Sequence, residues 1–367
     1  MANSASPVVT LPSSTAIPNI HATEIPSIKA FAESTELLAI PSTYNSLTNL
    51  HDRQVAEELA AQIPVIDFSH LISDDPELHA KGVQHLARAC EDWGFFMVTN
   101  HGIPESLMDD VINMSHKFHD MSVEEKAEFA DKGVSNPIRF GTSFNAKMED
   151  IHSWRDYLKV IIKYPADFTF PLKPAGFKEL AQEYCQVTKA VARKLLEGIS
   201  ESLGLEPNAI AKATDFDAGL QVLIANLYPP CPQPELALGM PPHSDHGLLT
   251  LLTQNGIDGL QINHKGKWVK VNPLPKCIIV NTSDQLEVVS NGRYRSILHR
   301  ATLNNKDTRI SLAINNGPQF EKVVGPAEEL LKKEEAVFRS MSYKEYFELQ
   351  QKNRLDGKAC LDHVRIN

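Results

Sequence analysis

Apolar and polar positions along this chain follow two textures that meet near residue 217. Upstream, apolar residues recur at helical spacing over Glu77 to Trp93, Glu105 to Phe118 and Phe177 to Gly204. Pro104 suits the start of the second of these helices and Gly204 the stop of the third. Ser122 and Glu125 stand at capping-box spacing and predict a further helix through Ala130. Ile63 to Phe68 and Gly94 to Val98 read as strands. An earlier periodic stretch, Ile28 to Ile40, predicts a first helix stopped by Pro41, followed by a linker over 42–62. Downstream of Asp217, short β-like runs at 221–228, 248–253, 258–263, 268–271, 277–282, 296–303 and 309–315 alternate with Gly, Pro and Asn. Several short strands at this spacing predict a sandwich or barrel. Asp284 to Val289 reads as one helical turn on its rim, and 326–333 and 342–352 return to helix. The pattern thus predicts a helical N-terminal half wrapped around a mainly β second half. Its divisions are a flexible extension with a short helix (1–60), a helical region (61–215), a β-rich core (216–320) and C-terminal helices packed on that core (321–367).

Composition narrows the function classes. At 367 residues the chain can bury a sizeable core, and 36 Lys+Arg against 46 Asp+Glu give a formal charge of −10. That balance speaks against broad binding to nucleic acid or to an anionic membrane. No apolar run is long enough to span a bilayer, and residues 1–23 contain no Lys or Arg, unlike a secretory or transit segment. The five cysteines are spread singly with no C-x-x-C pair, which argues against a disulfide framework or a structural zinc site and for a reducing compartment. The expectation is a cytoplasmic monomer acting on a small molecule.

The chemistry concentrates in the β half. His243 and Asp245 are two residues apart, so in an extended chain both side chains share a face. Pro241-Pro242 before them disfavours helix. With His299, they complete the two-imidazole, one-carboxylate set that suits non-haem iron(II) and leaves coordination positions open. His246 falls on the opposite parity and reads as structural. Downstream, Arg309 and Ser311 are again spaced i, i+2, among the apolar neighbours Ile310, Leu312, Ala313 and Ile314. A buried guanidinium needs an anion, and with a hydroxyl beside it can clamp a carboxylate.

These residues match a known family. Pro242-His243-Ser244-Asp245, His299-Arg300-Ala301 and Arg309-Ile310-Ser311 resemble the plant iron(II)/2-oxoglutarate-dependent dioxygenases of specialised metabolism. Asn226-Leu227-Tyr228-Pro229-Pro230-Cys231-Pro232, Asp258-Gly259-Leu260-Gln261, Asn281 with Asp284-Gln285, and upstream Trp93-Gly94-Phe95-Phe96 with Asn100-His101-Gly102 extend the match over about residues 60 to 350. The resemblance implies a double-stranded β-helix, or jelly roll, buttressed by helices. It implies His243, Asp245 and His299 as iron ligands, Arg309 and Ser311 as the clamp for 2-oxoglutarate, and Tyr228 and Asn226 as its supports. Dioxygen would be the second co-substrate, with ascorbate supportive. The implied reaction yields succinate and carbon dioxide and hydroxylates, demethylates or desaturates the substrate.

For the substrate, Arg139 to Phe144 resembles the segment that borders the pocket in relatives. Phe140 and Phe144 share strand parity and can stack on a flat apolar molecule, while Asn315 can offer hydrogen bonds. Trp154-Arg155-Asp156-Tyr157 reads as framework or pocket wall. The expected substrate is an aromatic or largely apolar metabolite such as a flavonoid, phenolic or alkaloid. Three competing readings are an oxidase of the same fold without 2-oxoglutarate, a non-catalytic small-molecule binding protein, and a zinc hydrolase. The intact ligand set and the absence of H-E-x-x-H weigh against the last two.

Overall fold

The computed structural model describes residues 25–34, 37–46, 54–130, 132–133, 136–144, 149–164, 169–352 and 356–366. The disorder expected for the extreme N-terminus concerns residues outside that set. The first half contains α1 (Ile28–Ser34), β1 (Val65–Asp67), α2 (Phe68–Leu71), α3 (Pro76–Asp92), β2 (Phe95–Thr99), α4 (Glu105–Asp120), α5 (Val123–Lys126), β3 (Ile138–Thr142), β4 (Asp156–Ile162), α6 (Phe177–Ser202) and α7 (Ala209–Thr214). The second half adds β5 (Gln221–Tyr228), β6 (Met240–His243), β7 (Leu249–Gln254), β8 (Leu260–His264), β9 (Lys267–Lys270), β10 (Ile278–Thr282), α8 (Asp284–Val289), β11 (His299–Ala301) and β12 (Arg309–Asn316). It closes with β13 (Val323–Val324), α9 (Glu328–Leu331), β14 (Met341–Ser342), α10 (Tyr343–Lys352) and α11 (Ala359–Val364).

An eight-stranded sheet runs β1-β2-β10-β7-β12-β5-β4-β3, and a four-stranded sheet runs β6-β11-β8-β9. Strand alternation gives the large sheet two distinct faces. Outward-facing Phe96, Val98, Leu158, Leu223, Leu251, Val280 and Leu312 pack on α4 and α6 in the main core. Those helices present apolar stripes at spacings of four and seven, such as Leu107, Val111 and Phe118 on α4 and Ala181, Cys185 and Ala192 on α6. The alternate residues Met97 and Ile279 meet Leu260 and Ile262 of the small sheet, filling one end of the jelly roll. Each such fully buried side chain contributes about 1.5–3 kcal/mol relative to exposure. The other end of the interior is polar and holds the site.

Local signals were realised with shifted boundaries. Ser122 and Glu125 form a reciprocal capping box, but α5 lasts one turn and tightens into a 3-10 turn through Phe129. Gly204 stops α6 with φ +75°. The first helix is shorter than its apolar pattern: α1 ends at Ser34, and it starts on a carboxylate far away in sequence. Asp156 accepts bonds from Ser27 Oγ at 2.6 Å and Ile28 N at 2.7 Å. The strands expected at Ile63 to Phe68 and Gly94 to Val98 are β1 and β2, and two further strands not expected, β3 and β4, form the far edge of the large sheet. One expectation needs correction. The α8 turn is not on the rim: all six residues are buried, since Tyr346 of α10 covers Asp284 and Ala327 bonds back to Val289. Among the described residues, no helix is long and apolar enough to cross a membrane, and all five cysteines are free thiols.

Candidate iron and co-substrate site

His243 ends β6, and His299 opens β11 directly opposite it in antiparallel register. The strand stops at His243, so Asp245 lies in the following turn and reaches the rings through that turn rather than by strand alternation. His243 Nδ1 donates to Pro241 O at 2.8 Å and His299 Nδ1 to Ile297 O at 3.3 Å. Those bonds fix the tautomers that present Nε2 lone pairs inward. Both Nε2 atoms lie 3.9 Å from Asp245 Oδ1. All three donor atoms fall within 4.8 Å of one another, close enough to share one ion. Asp245 Oδ2 is turned away and accepts bonds from Thr250 Oγ1 at 2.6 Å and Asn281 Nδ2 at 2.9 Å.

The electrostatics agree with that division. Burial, then the His299 ring, push the His243 imidazole well below its ordinary range, so it stays neutral and available as a ligand. Burial opposes ionisation of Asp245, but the flanking rings and the two hydroxyl and amide donors outweigh it and hold the carboxyl low. A neutral imidazole at His243 and an ionised carboxylate at Asp245 suit iron(II).

The residues expected to meet the co-substrate lie on the inner face of β5 and β12. Arg309 pairs with Tyr228 and Ser311 with Asn226 across the two strands. Arg309 is 2% exposed, its guanidinium lies 5.0 Å from the Tyr228 ring centroid, and Nη2 donates to Gln254 Oε1 at 2.7 Å. Its Nε has no partner, and burial lowers its affinity for the proton. A buried cation with an unused donor fits an incoming carboxylate. Asn226 bridges the clamp to the neighbouring wall: Nδ2 faces Ser311 Oγ at 3.5 Å, and Oδ1 accepts from Arg155 Nη1 at 2.8 Å.

A pocket opens beside His243 and Asp245, bordered by Phe144, Tyr157, Ile224, Met240 and Asn315. Asn315 donates to Thr250 Oγ1 at 3.0 Å while its Oδ1 has no partner. Phe140 is not part of this wall. It pairs with Leu158 on the helix-packed face, 6.2 Å from the Phe118 ring centroid. Ser143 adopts φ +59°, which breaks the alternation that would have carried Phe140 and Phe144 to one side. His246 is buried with Nδ1 2.7 Å from the Tyr343 hydroxyl, and it borders the pocket despite its sequence parity because the chain there is a turn.

Sequence reasoning missed Thr250, which orients Asp245, and Lys159, Gln350 and Gln351 in the pocket wall, whereas Arg139 borders it as the segment 139–144 suggested. Gln350 also donates to Ser244 O at 3.3 Å, tying α10 to the turn that carries Asp245. The i, i+2 alternation with Tyr157 was the available signal for Lys159.

Known proteins place this geometry. Residues 219–318 match the 2OG-Fe(II) oxygenase superfamily, and residues 63–177 match the N-terminal region described as non-haem dioxygenase in morphine synthesis. The chain is 42% identical over 306 residues to 2-oxoglutarate-dependent dioxygenase 19 of Oryza sativa subsp. japonica, covering 83% of this chain and 90% of that protein. It is 38% identical to flavanone 3-dioxygenase 2 of the same rice, covering 83% and 88%. It is 35% identical to oxoglutarate-dependent flavonoid 7-O-demethylase 1 of Ocimum basilicum, covering 94% and 91%. A solved structure of JOX2 in complex with 2OG, Fe and JA superposes with a TM-score of 0.82 at 28% identity, covering 93% of this chain and 98% of that one. Fold, donor set and relatives converge: this chain belongs to the 2OG-Fe(II) oxygenase superfamily, as a plant-type dioxygenase dependent on iron(II) and 2-oxoglutarate.

Proposed function

We propose that the chain oxidises a small aromatic or apolar plant metabolite, by hydroxylation or O-demethylation, with His243, Asp245 and His299 as the iron ligands. The observation that carries this reading is Asp245 Oδ1 standing 3.9 Å from both imidazole Nε2 atoms beside a pocket that offers Phe144, Tyr157, Ile224 and Met240 to an apolar body. Arg309 and Ser311 take the distal carboxylate of 2-oxoglutarate, with Tyr228 beneath the guanidinium and Asn226 holding Ser311. Bound there, iron(II) with 2-oxoglutarate and dioxygen supplies C–H oxidation and releases succinate and carbon dioxide. The protein's own part is positional. Thr250 and Asn281 hold Asp245 Oδ2, so that Oδ1 faces the metal position. Phe144 and Tyr157 orient a flat substrate, and Asn315 Oδ1 accepts a hydrogen bond from it. In this reading residues 216–320 supply the metal and co-substrate donors, while 61–215 supply much of the substrate wall. Relatives that act as a flavanone dioxygenase and a flavonoid O-demethylase support both reaction types.

The test is an anaerobic titration of the apoprotein with iron(II) and 2-oxoglutarate, read by the visible charge-transfer band of a chelated keto acid. The band should vanish in Asp245→Ala and need far more 2-oxoglutarate in Arg309→Ala. No band in folded, iron-loaded natural protein would overturn the residue assignments. Succinate release across a panel of aromatic metabolites then tests the substrate class.

A further inference from the structure

The pocket wall contributed by β3, β4 and the residue before β4 carries three cations, Arg139, Lys159 and Arg155. Arg139 and Lys159 stand directly opposite each other in the β3–β4 register and so share the inner face. Like charges in that position repel. Lys159 is 6% exposed, bonds Gln351 Oε1 and lies 5.1 Å from the Phe347 ring centroid. Arg155 spends its guanidinium on Ser143 O and Asn226 Oδ1, and Arg139 lies 5.9 Å from the Tyr157 ring centroid.

Among the described residues, none of the three forms an ion pair with a carboxylate. Other basic groups meet a carboxylate, as Lys276 meets Asp109 and Lys358 meets Glu287. The acid adjacent in sequence, Asp156, faces the other way and caps α1. Asp245, the acid in the pocket, is committed to the two imidazoles and its own hydrogen-bond donors. Two buried cations, Arg155 and Lys159, beside the half-buried Arg139 and without an ion-paired anion are costly, and the cost is relieved when an anion enters. Burial, then Arg139 and Arg155, push the Lys159 ammonium down to about 7, which reports the same unmet charge.

We propose that the substrate is a carboxylic acid whose carboxylate is bound by Lys159 and Arg139 while its apolar body lies against Phe144, Tyr157 and Ile224. This rests on the pocket being the substrate site of the reading above. Arg155 links the two systems, since the side chain that fixes Asn226 beside Ser311 also adds its charge to this wall. Matched acids and esters of one carbon skeleton should therefore differ sharply in affinity.

The test uses the full chain under anaerobic conditions, loaded with iron(II) and saturating 2-oxoglutarate. Cinnamate, 3-phenylpropanoate and 2-naphthylacetate are compared with their methyl esters by calorimetry. The acids should bind at least about tenfold more tightly than the esters. Lys159→Met and Arg139→Met should each erode that preference, Lys159→Arg should retain it, and all three should bind 2-oxoglutarate normally. Esters binding as tightly as acids, no binding by any probe, or an acid preference that survives both methionine variants would each overturn the proposal. The charge-transfer band, read before any probe is added, reports the metal and co-substrate reading separately. Binding of the acids to iron-free protein with the same preference would support the carboxylate site even where that band is lacking.

Discussion

Arg309 Nη2 donates to Gln254 Oε1 at 2.7 Å across neighbouring strands, and this neutral amide is its partner where an anion would be expected. The guanidinium is buried, with its Nε unused. Arg309→Met should therefore weaken 2-oxoglutarate binding by about 100-fold, the scale of a lost charge-assisted pair. The same variant should be no less stable than the natural sequence without co-substrate, because an uncompensated charge is removed. Thermal melts with and without 2-oxoglutarate check both halves: the natural sequence gains stability from the ligand and the variant does not.

Asp245 is aimed by Thr250 and Asn281. Thr250→Val and Asn281→Ala each free Oδ2 to rotate toward the rings. Iron(II) affinity should fall by about 10- to 100-fold in each, as expected when a ligand's supporting hydrogen bond is lost. Anaerobic metal titration measures this directly. Unchanged affinity in both would mean that the turn backbone alone orients the carboxylate.

Gly259 bears on Arg309 through space. A Cβ at Gly259 would stand 2.8 Å from Arg309 Cδ and 2.9 Å from Thr302 O. Gly259→Ala should shift the guanidinium and weaken 2-oxoglutarate binding by about 10- to 100-fold, although no donor is deleted. Iron binding, measured separately, should be retained.

Phe140 and Phe144 should separate stability from recognition. Phe140→Ala removes an aromatic from the core between β3 and α4 and should cost about 3–5 kcal/mol in chemical denaturation. Phe144→Ala should leave stability nearly unchanged and raise the KM for the substrate. Equal effects of the two changes on KM would contradict the opposite orientations of the two rings.

Lys159 predicts a pH dependence of stability. Its folded-state value, pushed down to about 7 by burial and then by Arg139 and Arg155, lies below the ordinary lysine value of 10.5. Between those limits the unfolded chain holds more protons, so this group makes stability rise with pH from about 7 toward 10. At and below pH 7 its burial withholds stability. Lys159→Met should flatten that part of the profile and stabilise the protein most near neutrality, as read from denaturation midpoints at several pH values. The charged groups facing Lys159 are Arg139 and Arg155, with His246 nearby held neutral by burial.

Much of this molecule was legible in the residues. His243, Asp245, His299, Arg309 and Ser311 are distinctive because metal and carboxylate chemistry restrict residue type and short-range spacing. The long helices α3, α4 and α6 were also legible, because a solvated face leaves a 3.6-residue period in the sequence. The strand β4 was not, since all seven of its residues are buried and its charged members, Asp156 and Lys159, fall on opposite faces. Lys159 was hidden with it, and its meeting with Gln351, 192 positions away, is a product of sheet order and of α10 folding back.

The sequence by itself determined which side chains can hold a metal and a dicarboxylate, because donor chemistry is local. Tertiary structure alone decided which face each strand turns to the pocket. A single residue in a left-handed conformation, Ser143, sends Phe140 to the core and Phe144 to the site. Pairing register likewise decided that Arg139 and Lys159 meet on one wall without an acid, because register depends on the packing of the whole sheet rather than on any short stretch of chain.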